Sequence, residues 1–74
     1  MVVMKVYVLE DETNIMRHLL QILGDIPYVR VIGHADGILK AAAEIPQFKP
    51  DVVLADIRLK DGNSFQLFDQ IGTD

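Results

Sequence analysis

The sequence predicts an α/β fold, a parallel sheet with helices on both faces. Three observations carry this. Apolar runs rich in β-branched residues alternate with stretches of helical period. The strand-like runs are apolar throughout, as in strands buried on both faces. Strands that alternate with helices call for parallel pairing through right-handed crossovers.

The elements follow in order. Val2 to Leu9 is apolar and continuous except for Lys5, and reads as strand 1. Thr13 to Leu23 carries Ile15, Met16, Leu19, Leu20, Ile22 and Leu23 at helical spacing, one broad apolar face. Gly24 fits the position just past that helix, and Pro27 helps to end the segment. Tyr28 to Gly33 is strand 2. Asp36 is placed to cap a helix through Leu39, Ala42, Ala43 and Ile45, which Pro46 closes. Asp51 to Asp56, with Val52, Val53, Leu54 and Ala55, is a third short buried strand. A loop from Arg58 to Gly62 leads to Asn63, which caps a last helix carrying Phe65, Leu67, Phe68 and Ile71. No internal repeat, linker or low-complexity segment interrupts this pattern.

Size and composition set limits. At 74 residues, one domain is the ceiling. Half the residues are hydrophobic (50%) and the mean hydropathy is +0.22, rich for so short a chain. Apolar surface is therefore expected that the chain alone leaves uncovered. There is no cysteine, hence no disulfide and no thiolate metal site. A net charge of −4 argues against direct nucleic-acid binding, which needs clustered lysine and arginine. The apolar start is too short to span a membrane and runs straight into Glu10, Asp11 and Glu12. A soluble cytoplasmic protein is the expectation.

In such sheets ligands bind beyond the carboxyl ends of the strands. Strand 1 ends in Glu10-Asp11-Glu12 and strand 3 in Asp56. With strands 1 and 3 as neighbours, in the order 2-1-3, Glu10, Asp11 and Asp56 converge. Three carboxylates in one crevice repel unless a cation joins them, and hard oxygen ligands favour Mg²⁺. A carboxylate beside such a cation can attack phosphorus. Asp56, alone at the end of a buried strand, is the candidate nucleophile; Glu10 and Asp11 are the candidate metal holders. Acidic residues after strands are often caps or solvated loop groups instead. Two such positions at adjacent strand ends favour the functional reading. Glu12 goes the other way, to the N-terminus of the first helix. His18 and His34 have no partner at metal-ligand spacing and read as structural or surface groups. Met1, Met4 and Met16 read as core.

Several segments then resemble a known family. Val6-Tyr7-Val8-Leu9-Glu10-Asp11-Glu12 resembles the opening strand and acidic pair of response-regulator receiver domains. Val31-Ile32-Gly33-His34-Ala35-Asp36-Gly37 is similar to their second strand and turn. Lys49 to Leu59 looks like their phosphoacceptor strand, and Asp61-Gly62-Asn63-Ser64-Phe65 like the loop into their third helix. The resemblance implies a flavodoxin-like fold of which residues 1–74 hold the front part, through a third helix. It implies Asp56 as phosphoacceptor and Mg²⁺ held by Glu10, Asp11, Asp56 and the backbone carbonyl of Arg58. The implied partner is a histidine kinase or histidine phosphotransfer protein, in two-component signalling. At most, the resemblance implies self-phosphorylation, with no turnover of an external substrate.

Receivers continue into fourth and fifth strands that bring a Ser or Thr and a Lys to the phosphoryl group. These lie beyond Asp74, so slow phosphotransfer is expected of the 74 residues, together with a homodimer through the exposed strand 3 edge. Lys60 stands where the family commonly has Pro, and Ser64 where it often has Gly. A receiver-like interaction module without useful phosphotransfer is the alternative. A haloacid-dehalogenase-like phosphatase fits poorly, because Asp56-Ile57-Arg58 has Arg where those enzymes have a second Asp. A dinucleotide site fits poorly too, because the turn after strand 1 is acidic and lacks a glycine fingerprint.

Overall fold

The computed structural model describes residues 2–55 and the backbone of residues 58–59 and 62–63. Its elements are β1 (Met4–Leu9), α1 (Thr13–Gly24), β2 (Val29–Ala35), α2 (Ile38–Phe48), β3 (Val52–Ala55), β4 (Arg58–Leu59) and β5 (Gly62–Asn63). The first three strands form a parallel sheet in the order β2-β1-β3, the expected topology. β4 and β5 pair with each other, antiparallel.

The order explains the layers. The crossover from β1 to β2 runs to one side, and that from β2 to β3 runs back. Right-handed connections then place α1 and α2 on opposite faces. β1, paired along both edges, becomes the centre of the core. Val6, Tyr7, Val8 and Leu9 are all 2% exposed or less. Their side chains alternate between faces. Tyr7 and Leu9 join Ala35 and the inner face of α2, Ile38, Ala41 and Ile45, in one cluster, with Val53 and Ala55 against its rim. Val6 and Val8 fill the opposite face.

Local chemistry sets the helix ends. Glu12 caps α1: its side chain accepts a hydrogen bond from the Asn14 N–H at 3.1 Å. This is the place expected for Glu12, and its charge also suits the helix dipole. No residue of α1 is fully buried. Among the described residues no helix is long and apolar enough to cross a membrane.

Several boundaries differ from the expected ones. β1 starts at Met4, because its partner β2 starts at Val29, level with Met4. Val2 and Val3 therefore have nothing to pair with on that side and are exposed. Gly24 is the last residue of α1, and Asp25 is its cap. α2 is capped by Gly37, with no side-chain hydrogen bond, so Asp36 is not the cap. Pro46 lies inside α2 instead of closing it. It removes one helical bond, yet the helix continues for another half turn. Ile45 is held in the core, and the Lys49 N–H returns to the Ile45 carbonyl at 2.9 Å. Lys49 then ends the helix in the left-handed region, φ 53°. Residues read as a loop from Arg58 to Gly62 contribute to β4 and β5, and Asn63 pairs with Arg58. The predicted third helix lies outside the described residues.

The continuation of α2 past Pro46 matters for packing. It carries Phe48 over β2, with its ring 6.3 Å from that of Tyr7. The pairing of β1 with β2 shifts register between Val6 and Tyr7, so Val6 meets Val31 and Tyr7 meets Gly33. Gly33 thus lies beneath both rings. The Tyr7 hydroxyl donates to Glu44 on α2 at 2.8 Å. Burial first, then the hydrogen bond to the Glu44 carboxylate and its charge, raise the Tyr7 phenol well above its usual 10.0.

A pH dependence follows. The folded chain holds the Tyr7 proton more tightly than the unfolded chain does. Its contribution to stability is therefore full below the unfolded value of 10.0 and is lost as pH rises from there toward the folded value. The loss is up to about 1.4 kcal/mol per pH unit. Tyr7→Phe should cost about 1–2 kcal/mol at neutral pH and flatten that alkaline decline. Urea melts across the alkaline range read both effects. An alkaline slope unchanged by Tyr7→Phe would contradict this account.

Candidate functional site

Register builds the site. Leu9 pairs with Ala35 on one side and with Ala55 on the other, so all three strands end level. The Glu10 N–H adds one more bond to the Ala35 carbonyl, 3.1 Å. The chain then turns into α1. Asp36 follows β2 and Asp56 follows β3 in sequence; Asp56, the predicted nucleophile, lies outside the described residues.

Glu10 is the one buried charged residue among those described, 7% exposed. Its Oε1 accepts the Glu12 N–H at 3.0 Å. Glu12 in turn caps α1, and its carbonyl accepts the first helical bond, from the Met16 N–H at 2.8 Å. The turn is thus tied down link by link, and it fixes Glu10 at the end of β1. The other oxygen of Glu10 accepts no hydrogen bond from the described residues. Asp11, half-buried, stands next to it, and its carboxylate makes no hydrogen bond with the described residues.

Glu10 separates two open clefts. One, of about 260 Å³, lies toward β2 and is lined by Glu10, Asp11, Met16, His34, Asp36 and Lys40 among others. The other, of about 250 Å³, lies toward β3 between Leu9, Glu10, Leu19, Leu54 and Ala55. Glu10 and Asp11 are hard oxygen donors of the kind Mg²⁺ takes. A buried carboxylate with one oxygen spare, beside a second carboxylate, fits such an ion. Among the described residues alone, no three acidic or imidazole groups come together to hold a metal. Of the other predicted ligands, Asp56 lies outside the described residues, and Arg58 is described only as a backbone position in β4.

Glu10 and Asp11 line the same cleft. The structure adds His34, Asp36 and Lys40, which sequence reasoning did not place there. The signal was available: the carboxyl end of strand 2 opens on the same crevice as that of strand 1. His34, which reads as a structural or surface group, is exposed, and Asp36, which reads as a helix cap, is not the cap.

Comparison with known proteins gives a consistent picture. No family model matches the chain. The chain is 38% identical over 63 residues to the DNA-binding transcriptional activator DevR/DosR of Mycobacterium tuberculosis, covering 85% of the chain and 29% of that protein. It is 38% identical over 64 residues to the sensory transduction protein LytT of Bacillus cereus, covering 86% of the chain and 26% of that protein. Among solved structures it resembles the response regulator domain of Thermotoga maritima CheB, with a TM-score of 0.86 and 29% identity. That match covers 93% of this chain and 52% of the other. It also resembles the anti-anti-sigma factor PhyR of Bartonella quintana, with a TM-score of 0.84 and 27% identity, over 95% of this chain and 29% of the other. The chain spans less than a third of the length of these curated relatives, 29% and 26%.

Proposed function

The chain belongs to the response-regulator receiver family, and from that premise we propose that it accepts a phosphoryl group on Asp56 with Mg²⁺ bound alongside. The observation that supports this best is the level ending of β1 and β3, Leu9 against Ala55. It sets the Glu10–Asp11 turn beside the strand that leads into Asp56.

In this reading, Glu10, Asp11, Asp56 and the Arg58 carbonyl hold the ion. When bound, Mg²⁺ offsets the repulsion between the carboxylates and the incoming phosphoryl group. A carboxylate oxygen of Asp56 attacks phosphorus and forms the acyl phosphate bond. The bond from phosphorus to the donor breaks, and its electron pair leaves with the donor. For a phosphohistidine donor the imidazole departs and takes up a proton; for acetyl phosphate, acetate departs. The turn fixed by Glu12 keeps Glu10 from moving as charge builds up. The partner in this reading is a histidine kinase or a histidine phosphotransfer protein.

The test is incubation with acetyl phosphate, with and without Mg²⁺, read by intact mass. One phosphoryl group should be added, only with the metal, and none in Asp56→Asn. Equal labelling of Asp56→Asn would overturn the proposal.

Association of the 74-residue chain is proposed as well. Among the described residues β3 pairs along one edge only, with β1, and Leu54 on it is 38% exposed. An unpaired strand edge favours pairing with a second copy. Two β3 strands pairing antiparallel would give a two-fold dimer. Sedimentation equilibrium should show a dimer that Leu54→Lys weakens. A folded monomer at micromolar concentration would refute it.

A further inference from the structure

We propose that Asp51 is a positioning residue: it locks β3 in register against β1 and so sets the level at which β3 ends beside the Glu10 turn. That register is fixed wholly within the described residues. Only its consequence for Asp56 rests on the reading of that residue as phosphoacceptor.

Asp51 and Lys5 exchange hydrogen bonds in both directions. The Lys5 N–H donates to Asp51 Oδ2 at 2.8 Å. The Asp51 N–H donates to the Lys5 carbonyl at 2.8 Å. The strand ladder begins one residue later, with Val6 against Val52, and runs to Leu9 against Ala55. The clamp is therefore its first rung, and every later pairing follows from it.

The strand by itself does not choose this register. A slip of one residue moves each side chain to the other face of the sheet, which is costly where polar and apolar residues alternate. Here Val52, Val53, Leu54 and Ala55 are all apolar, so a slip only exchanges one apolar set for another. The residues just before the strand make the choice. Pro50 has no N–H, so with residue 50 opposite Lys5 the Lys5 carbonyl loses its donor. With Val52 opposite Lys5, the Lys5 N–H loses its acceptor, because valine has no side-chain oxygen. Asp51 supplies both. It also arrives there from a fixed start. Ile45 is held in the core, the Lys49 N–H returns to the Ile45 carbonyl, and Lys49 leaves α2 with φ 53°. Few residues other than glycine adopt that conformation, so the surroundings specify the exit.

Asp51→Ala removes the acceptor and should loosen the register. In the isotope-labelled full chain, cross-strand nuclear Overhauser contacts of Val6 with Val52 and of Val8 with Leu54 should weaken. The β3 amides should exchange with solvent roughly tenfold faster relative to those of β2. Labelling of Asp56 by acetyl phosphate should slow roughly three- to tenfold, since a small misplacement of a nucleophile costs rate. Asp51→Asn keeps a side-chain oxygen at the same reach and should restore all three readouts. Tyr7→Phe lowers stability without touching the clamp, and should keep the cross-strand contacts and the labelling rate. Thermal melts check that each variant folds. If Asp51→Ala does not, Asp51→Glu takes its place, with its carboxylate one methylene too far out. Unchanged contacts and labelling in the clamp variant, losses that Asp51→Asn does not reverse, or the same losses in Tyr7→Phe would overturn the role of Asp51. If the unsubstituted chain takes no label at Asp56, the phosphoacceptor reading fails, and the contacts and exchange rates still decide the role of Asp51.

Discussion

Replacing Gly33 by valine is expected to destabilise the fold strongly, whereas replacing Gly24 by alanine should stabilise it. A Cβ at Gly33 would lie 2.9 Å from the rings of both Phe48 and Tyr7. Real side chains do not pack that closely, so one ring must move. Tyr7 is completely buried and tied to Glu44 by its hydroxyl. Phe48 is more exposed, 37%, and can yield part of the way. Alanine at Gly33 should therefore be tolerated at a moderate cost. The larger, branched valine should cost about 1–3 kcal/mol by overpacking. For a domain of this size that is a fall in Tm on the order of 10 °C. At Gly24 a Cβ meets nothing within 4 Å, and the backbone is helical. Alanine there should add about 0.4–1 kcal/mol by restricting the unfolded chain. Thermal melts of the two variants should move in opposite directions. A Gly33→Val variant as stable as the unsubstituted chain would mean that α2 does not seat Phe48 over β2 as described.

The second large effect concerns the acidic turn. Asp11→Asn should weaken Mn²⁺ or Mg²⁺ binding by roughly tenfold or more, since it removes a charged oxygen ligand from a small set. Glu12→Gln removes the same charge from the neighbouring residue and should matter much less. The Glu12 carboxylate is turned to the Asn14 N–H, where it caps α1. It serves the helix and not the ion. A glutamine at this position keeps an acceptor oxygen for that cap. The contrast between adjacent acidic residues, measured by calorimetry under one set of conditions, separates specific ligation from general attraction to a negative surface. Equal losses from the two substitutions would remove the assignment.

Much of this architecture was legible in the sequence. Apolar continuity through Val6, Val8 and Leu9 marked a strand buried on both faces, and β1 is the central strand. Of the acidic residues after it, Glu12 went to the helix as expected. What escaped were features set by contacts between distant segments. Pro46 reads as a helix stop by local rules, yet burial of Ile45 carries α2 past it. Gly33 reads only as the last residue of strand 2. Its role appears only when the β1–β2 register shift and the far end of α2 bring two rings over it. Asp36 was placed as a cap by proximity, whereas the backbone turns into the helix one residue later, at Gly37.

The central claim is that the strand end at Asp56 carries the phosphoryl group. The most direct measurement treats the acetyl-phosphate-labelled chain with borohydride, which reduces an aspartyl phosphate to homoserine, and maps the product by peptide mass. The account predicts homoserine at position 56, dependent on Mg²⁺ and strongly reduced in Asp11→Asn. Homoserine at another aspartate, or labelling at position 56 that is indifferent to both Mg²⁺ and Asp11, would contradict it.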